Sequence, residues 1–309
     1  MGKMTLSNYN LITPVRNEED HLLKLAKCVI NQSHLPEVWV IVDHKSLDRS
    51  PEIIKKLTEN YSWIYSIRYD EEGTGHGIPP EVYNLGIKES LRLSSDVKYI
   101  VKIDADMRFH YETLEEIIKK AQKNDNLVIT APGLITLKRE IGVDRLKNPE
   151  DILNDDNIVI SRTKKDKMDM PFDGFRVFRK NFLEEVDRIP NVNGGHHIIK
   201  GKALERGYEV SYVDEWVYMT REMGKDREST HGKFGKGKKI GFNLYFRQYH
   251  PILIFARLLY DFAQNPLHAL GEVVGYFESF INQEERIKDP EVIRHYRRGR
   301  FKKMLEWLK

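Results

Sequence analysis

Two aspartates one residue apart, Asp104 and Asp106 in the run Ile103-Asp104-Ala105-Asp106-Met107, follow directly on an apolar segment, 98–103, that reads as a β-strand. Side chains alternate with a period of two along extended chain, so both carboxylates point to one side at the carboxyl end of that strand. Two anions held side by side repel, and a hard divalent cation between them, Mg2+ or Mn2+, relieves the repulsion. A cation held there suits a diphosphate, because it stabilises the charge that develops on a phosphate leaving group. The competing reading of an isolated Asp-x-Asp is a pair of exposed turn residues ahead of a helix over 111–122.

The elements that must position this pair are legible as alternating strands and helices. Strands are predicted at 9–13, 37–43, 63–69, 98–103 and 127–130, with helices at 20–32, from 50 onward, 81–93 and 111–122. The second strand, Glu-Val-Trp-Val-Ile-Val-Asp, is nearly all apolar, as in a parallel strand covered on both faces. Ser50-Pro51 is expected to cap and open its helix. Such alternation predicts an α/β fold, an open and mostly parallel sheet with helices on both faces, whose ligands bind at the carboxyl edge. Residues 138–170 are polar and without period. Sheet-like patterning returns over 172–213, and beyond 240 the chain reads as helices divided by Pro266 and Pro290.

Composition narrows the class. The 309 residues are 40% hydrophobic and 31% charged, with 50 cations and 47 anions for a net charge of +3, which excludes a disordered or collagen-like chain. That near-neutrality is uneven: residues 291–309 carry net +5, residues 221–239 net +4, and the remainder −6. No nucleic-acid-binding motif accompanies the basic segments, so nucleic acid is not an expected partner. The single cysteine, Cys28, fits a reducing compartment and core packing. A cytoplasmic protein is expected. Its cation-rich tail suits either packing on the body or peripheral attachment to an anionic surface at the inner face of a membrane. Glycines interleaved with lysines around Lys233, within 221–239, read as a flexible cationic loop able to close over a diphosphate. Gly73, Gly75 and Gly77 do not make a dinucleotide fingerprint, because Ile78 stands where the last glycine belongs. They read as a mobile connection beside the site proposed for a diphosphate, with Asn84 on the helix behind it.

A wider pattern surrounds the aspartates. Leu11-Ile12-Thr13-Pro14-Val15-Arg16-Asn17-Glu18-Glu19, Asn31-Gln32-Ser33, Val40-Ile41-Val42-Asp43, Tyr83-Asn84-Leu85-Gly86 and Asp104-Ala105-Asp106 resemble, in order and spacing, family 2 glycosyltransferases of the GT-A fold. The resemblance implies a nucleotide-diphospho-sugar donor, a metal at the Asp-x-Asp and inversion at the anomeric carbon. It places Thr13, Pro14 and Glu18 at the nucleoside and Asp43 on the base, where an acceptor oxygen suits a ring N–H. It also makes His231 a candidate to complete the metal shell.

The pattern departs at His44 and Lys45, and again at Asn193-Gly194-Gly195-His196-His197, where relatives carry the carboxylate base for a hydroxyl acceptor. Either His196 or His197 takes that role, since an imidazole titrates near neutrality, or no base is needed because the acceptor is an already ionised lipid phosphate. Phe172-Asp173-Gly174-Phe175-Arg176 is similar to a segment of polyprenyl-phosphate sugar synthases in which a guanidinium suits a phosphate. Those enzymes tend to carry Gln where this chain has Arg108. Asp173 competes as base or acceptor ligand.

The sequence thus predicts a GT-A domain over 1–240 and a helical appendage over 241–309. Its expected activity is metal-dependent, inverting transfer of a sugar to a glycan hydroxyl or a lipid phosphate. The rival reading is a non-catalytic nucleotide-sugar-binding protein that uses its basic tail for a membrane or a partner.

Overall fold

The computed structural model describes residues 5–71, 79–155, 157–162, 173–190, 192, 194–220, 232–262 and 265–299. The chain divides into two compact units, 1–191 with 208–222, and 192–207 with 223–309.

In the first unit, β1 (Tyr9–Val15), α1 (Glu19–Ile30), β2 (Trp39–His44), α2 (Ser50–Asn60), β3 (Ile64–Tyr69), α3 (Pro80–Leu93), β4 (Tyr99–Ile103) and α4 (Thr113–Gln122) follow the predicted alternation. Then come β5 (Leu127–Leu137), a 3-10 turn (Val143–Lys147), α5 (Glu150–Leu153), β6 (Val159–Arg162), β7 (Phe175–Arg179) and α6 (Lys180–Glu185). After α7 (Gly195–Glu205) of the second unit, β8 (Glu209–Met219) completes an eight-stranded sheet ordered β3-β2-β1-β4-β7-β5-β6, with β8 beside β5. Strands β1 to β4 pair in parallel, and β7 joins β4 antiparallel. The switch of direction therefore falls between β4 and β7.

Helices cover both faces. Leu22, Leu25, Ile54, Leu57, Leu114 and Ile117 pack against sheet residues such as Leu11, Trp39 and Val101. On the opposite face α3 lies so close that a Cβ on Gly86 would stand 2.6 Å from Ile12 Cγ2, which only glycine avoids.

Strand β5 runs past the expected 130 to Leu137, with a register shift against β8 at Ala131/Gly133. The segment expected to be irregular contains the 3-10 turn, α5 and β6, packed through Ile135, Leu146, Ile152 and Tyr218.

In the second unit, α7 is followed by α8 (Gly232–Phe246), α9 (Pro251–Phe262), α10 (Pro266–Ile281), α11 (Pro290–Ile293) and a π-helical turn (Arg294–Gly299). Each of α9, α10 and α11 begins at a proline, the position where its missing N–H and fixed φ are tolerated. The glycine–lysine segment from 232 on is not a loop. It forms α8, which crosses the boundary expected at 240, and its glycines are contact points. A Cβ on Gly237 would lie 2.1 Å from His268 O, and one on Gly271 of α10 2.2 Å from Phe234 O. Backbone pressed on backbone holds this helix in place, so glycine serves packing here and not flexibility. Residues 221–231, with His231, lie outside the described residues.

The start of the basic tail is packed. Asp289 accepts from Glu291 N at 2.9 Å and Val292 N at 3.3 Å, and Val292 and Tyr296 are buried. Tyr296 stacks on Tyr249 with ring centroids 5.2 Å apart and donates to His197 O at 2.6 Å. Residues 300–309 lie outside the described residues.

Candidate active site

The loops that follow β1 and β2 are locked together. Asn17 has a φ of 55°; its N–H donates to Ser46 Oγ at 3.0 Å and its side-chain oxygen accepts from Leu47 N at 2.8 Å. Glu18 N donates to Ser50 Oγ at 2.8 Å, and Glu19 N to Asp48 Oδ2 at 3.0 Å. Ser50 thus holds the neighbouring loop and does not cap its own helix. Burial works against the Asp48 charge, but the hydroxyl and N–H of Ser50 and the N–H of Glu19 hold its carboxyl below the ordinary value.

Asp43 ends inside this latch. Its Oδ1 accepts from Ser46 N at 3.1 Å, and its Oδ2 pairs with the Arg68 guanidinium, which also reaches Asp70 at 2.8 Å. His44 Nε2 lies 3.2 Å from Glu71 O. Thr13 is placed differently from a loop residue. It shares a strand face with Leu11 and Val15, faces the core, and its hydroxyl accepts from Trp39 Nε1 at 3.0 Å. Pro14 is also buried, and Glu18 is half-exposed. Asn84 is engaged by the main chain, donating to Ile189 O at 2.6 Å and accepting from Ile189 N at 3.2 Å.

The carboxylates gather where the sheet changes direction. Ile103 pairs with Phe175, and Asp104 N donates to Gly174 O at 2.8 Å, which brings Asp173 beside Asp104. Lys102, buried and two residues before Asp104 on the same face, places Nζ 2.9 Å from Asp104 Oδ1, 3.6 Å from Asp173 Oδ1 and 2.6 Å from Asp173 O. The same ammonium lies 4.6 Å from the centre of the Tyr83 ring. Arg176, also buried, lies 3.0 Å from Asp173 Oδ1. Beneath the turn, Arg108 donates to Ala105 O at 3.1 Å and Met107 O at 2.8 Å, fixing the backbone that carries both aspartates.

Burial, with Asp106 and Asp173 nearby, pushes the Asp104 carboxyl up to about 7 against the opposing pull of Lys102. Asp106 Oδ1 is buried without a hydrogen-bond partner among the described residues. An orphaned carboxylate oxygen is costly in a low-dielectric site. Beside a second hard oxygen donor it fits a divalent cation that keeps open positions for phosphate and water. No group of three or more His, Cys, Asp or Glu side chains among the described residues is placed to hold a metal ion together.

Sequence reasoning named Asp43, Asp104, Asp106, Asp173 and Arg176, and the fold brings the last four together. It missed Lys102 and Tyr83. The signal for Lys102 was present, a lysine in the middle of the apolar strand Tyr-Ile-Val-Lys-Ile and in phase with Asp104. Lys233 is exposed on α8. His196 and His197 open α7 after Gly194, whose φ is 78°, with His197 exposed and His196 half-buried. These three belong to the second unit.

This fold has known counterparts. The chain aligns with the mannosyltransferase PcManGT from Pyrobaculum calidifontis in complex with GDP-Man and Mn2+, at a TM-score of 0.55 and 15% identity, covering 98% of this chain and 81% of that one. It aligns likewise with TarS 1-349 of S. aureus in complex with UDP-GlcNAc, at a TM-score of 0.51 and 14% identity, covering 91% and 93%. The fold is GT-A. Residues 10–187, more than half of the chain, match the model of Glycosyl transferase family 2, and the chain belongs to that family. It is similar, at 26% identity over 210 residues, to 4,4'-diaponeurosporenoate glycosyltransferase of Staphylococcus haemolyticus (strain JCSC1435). That alignment covers 66% of this chain and spans about half the length of the relative, 52%.

Proposed function

We propose that the protein is a metal-dependent, inverting transferase that moves a sugar from a nucleotide-diphospho-sugar to a glycan hydroxyl or a lipid phosphate. The observation that carries this reading is the buried, unpartnered Asp106 oxygen beside Asp104 at the carboxyl end of β4. Asp104 and Asp106 are the residues that would hold Mg2+ or Mn2+, which when bound neutralises charge on the departing diphosphate. The Mn2+ and nucleotide-sugars named for the GT-A structures above support the same reading.

Asp43 offers the nucleoside base its remaining lone pairs, since each carboxylate oxygen has room for a second donor. The latched loops at 16–19 and 46–50 keep that acceptor in place, so little ordering is needed on binding. At the carboxylate cluster, Lys102 and Arg176 compensate buried negative charge before any ligand arrives. Inversion needs one displacement, with the acceptor oxygen attacking the anomeric carbon from the side opposite the diphosphate. A hydroxyl acceptor gives its proton to a base, for which Asp173, His196 and His197 are the candidates. An ionised phosphate needs none.

A panel of UDP- and GDP-sugars, scored for thermal stabilisation and for transfer or hydrolysis with Mn2+ and with EDTA, tests the proposal. Turnover that EDTA abolishes is expected. Turnover indifferent to EDTA would remove the metal, and stabilisation without turnover on any acceptor would make the protein a binder.

A further inference from the structure

Helices α9 and α10 carry their polarity inside out. On α9, Ile252, Phe255, Leu259 and Phe262 recur at three- and four-residue spacing and face outward, Leu259 with 80% of its surface exposed. The two charges of that helix are engaged with each other and with α10. Arg257 reaches Glu272 at 2.9 and 3.0 Å and Asp261 at 3.6 Å, and Glu272 is itself buried. Outward positions on α10 again include Leu267, Leu270, Val274, Phe280 and Ile281, the last 75% exposed, while the exposed Glu278 is paired with Lys238 of α8. The Phe255 ring lies 5.7 Å from that of the half-buried Phe277, which sets the two stripes on adjoining helices.

A helix facing water puts its charges out and its leucines in. A contiguous apolar face of this extent marks an interaction site. We propose that it is a membrane-docking face, seated in the headgroup and acyl boundary of an anionic bilayer. The exposed apolar side chains are aliphatic or phenyl and bring no hydrogen-bonding group, whereas protein interfaces favour Tyr, Trp and Arg with polar partners. Charge agrees: the unit that holds both helices has 20 cations against 11 anions, net +9, while the sheet unit is net −6. Lys233, Lys236 and Lys239 on α8 and Arg297 and Arg298 after α11 are exposed for phosphate headgroups. No helix among the described residues is long and apolar enough to cross a membrane, so α9 and α10 lie in the plane of the interface. The inference stands on the second unit alone and is independent of the donor chemistry.

Sedimentation of the full chain with phosphatidylcholine vesicles, with and without phosphatidylglycerol, tests it. The wild type should pellet with the anionic vesicles. L259E and I281E, each altering an exposed position, should retain their circular dichroism melts and lower the vesicle partition coefficient about tenfold, while L23E on exposed α1 should leave it unchanged. Unaltered pelleting of both L259E and I281E would overturn the proposal. So would light scattering that shows a wild-type dimer dissolved by L259E while vesicles bind neither protein, because the occupant would then be a second copy.

Discussion

Lys102 Nζ stands 2.9 Å from Asp104 Oδ1, so the first carboxylate of the Asp-x-Asp has a cation of the protein's own. Burial disfavours the ammonium, but Asp104, Asp173 and Tyr83 outweigh it and raise its pKa. Replacing Lys102 with Met removes the cation that opposes burial of the Asp104 carboxylate, so its charged form survives only at a cost or gives way to the protonated one. The expected cost is about 3–5 kcal/mol, and a bound divalent cation should recover part of it. The Mn2+-induced rise in melting temperature should therefore be larger for Lys102→Met than for the wild type. Equal shifts would mean that the lysine and the metal do not share a carboxylate.

Asp106→Asn should separate chemistry from folding. Asp106 Oδ1 has no hydrogen-bond partner to lose among the described residues, so unfolding in urea should be nearly unchanged. Turnover should fall by about a hundredfold or more, and the Mn2+ shift should vanish. Full activity in the variant would refute the metal assignment.

Asn84 sits in the family motif, but its amide is occupied by both main-chain groups of Ile189. Asn84→Ala should cost about 1–3 kcal/mol by stranding them, with the KM for donor unchanged. A raised KM at unchanged stability would return Asn84 to the donor site.

Gly237→Val should unfold the helical unit, because a Cβ there meets the His268 carbonyl oxygen at 2.1 Å and neither backbone can give. A loss of about 3 kcal/mol or more is expected, read as protease sensitivity within 232–281. Survival of the variant at wild-type stability would show that α8 and α10 separate freely.

Asp289 supplies a pH test with a defined sign. Burial opposes its charge, yet Lys202 and the N–H groups of Val292 and Glu291 hold its carboxyl below the ordinary 3.8. A carboxyl depressed on folding contributes stability above that value and loses it as the pH falls through the folded pKa. Asp289→Ala should cost about 1 kcal/mol near neutrality, and the gap from wild type should close below about pH 3.8. A gap independent of pH would assign the effect to packing alone.

What the sequence determined by itself is the order of strands and helices through residue 130 and the placing of Asp43, Asp104 and Asp106 at strand ends. These follow from local rules, the period of apolar residues and the alternation of side chains, which need no knowledge of distant chain. Tertiary structure decided the rest. Only the antiparallel pairing of β4 with β7 sets Asp173 beside Asp104 across 69 positions of sequence, and only the packed sheet shows that Thr13 points into the core while Lys102 points at the carboxylates. Gly237 and Lys233 read as a loop because glycine and lysine predict flexibility in isolation. They form a helix because α10 lies against them, and a neighbour's backbone is information that no local pattern contains.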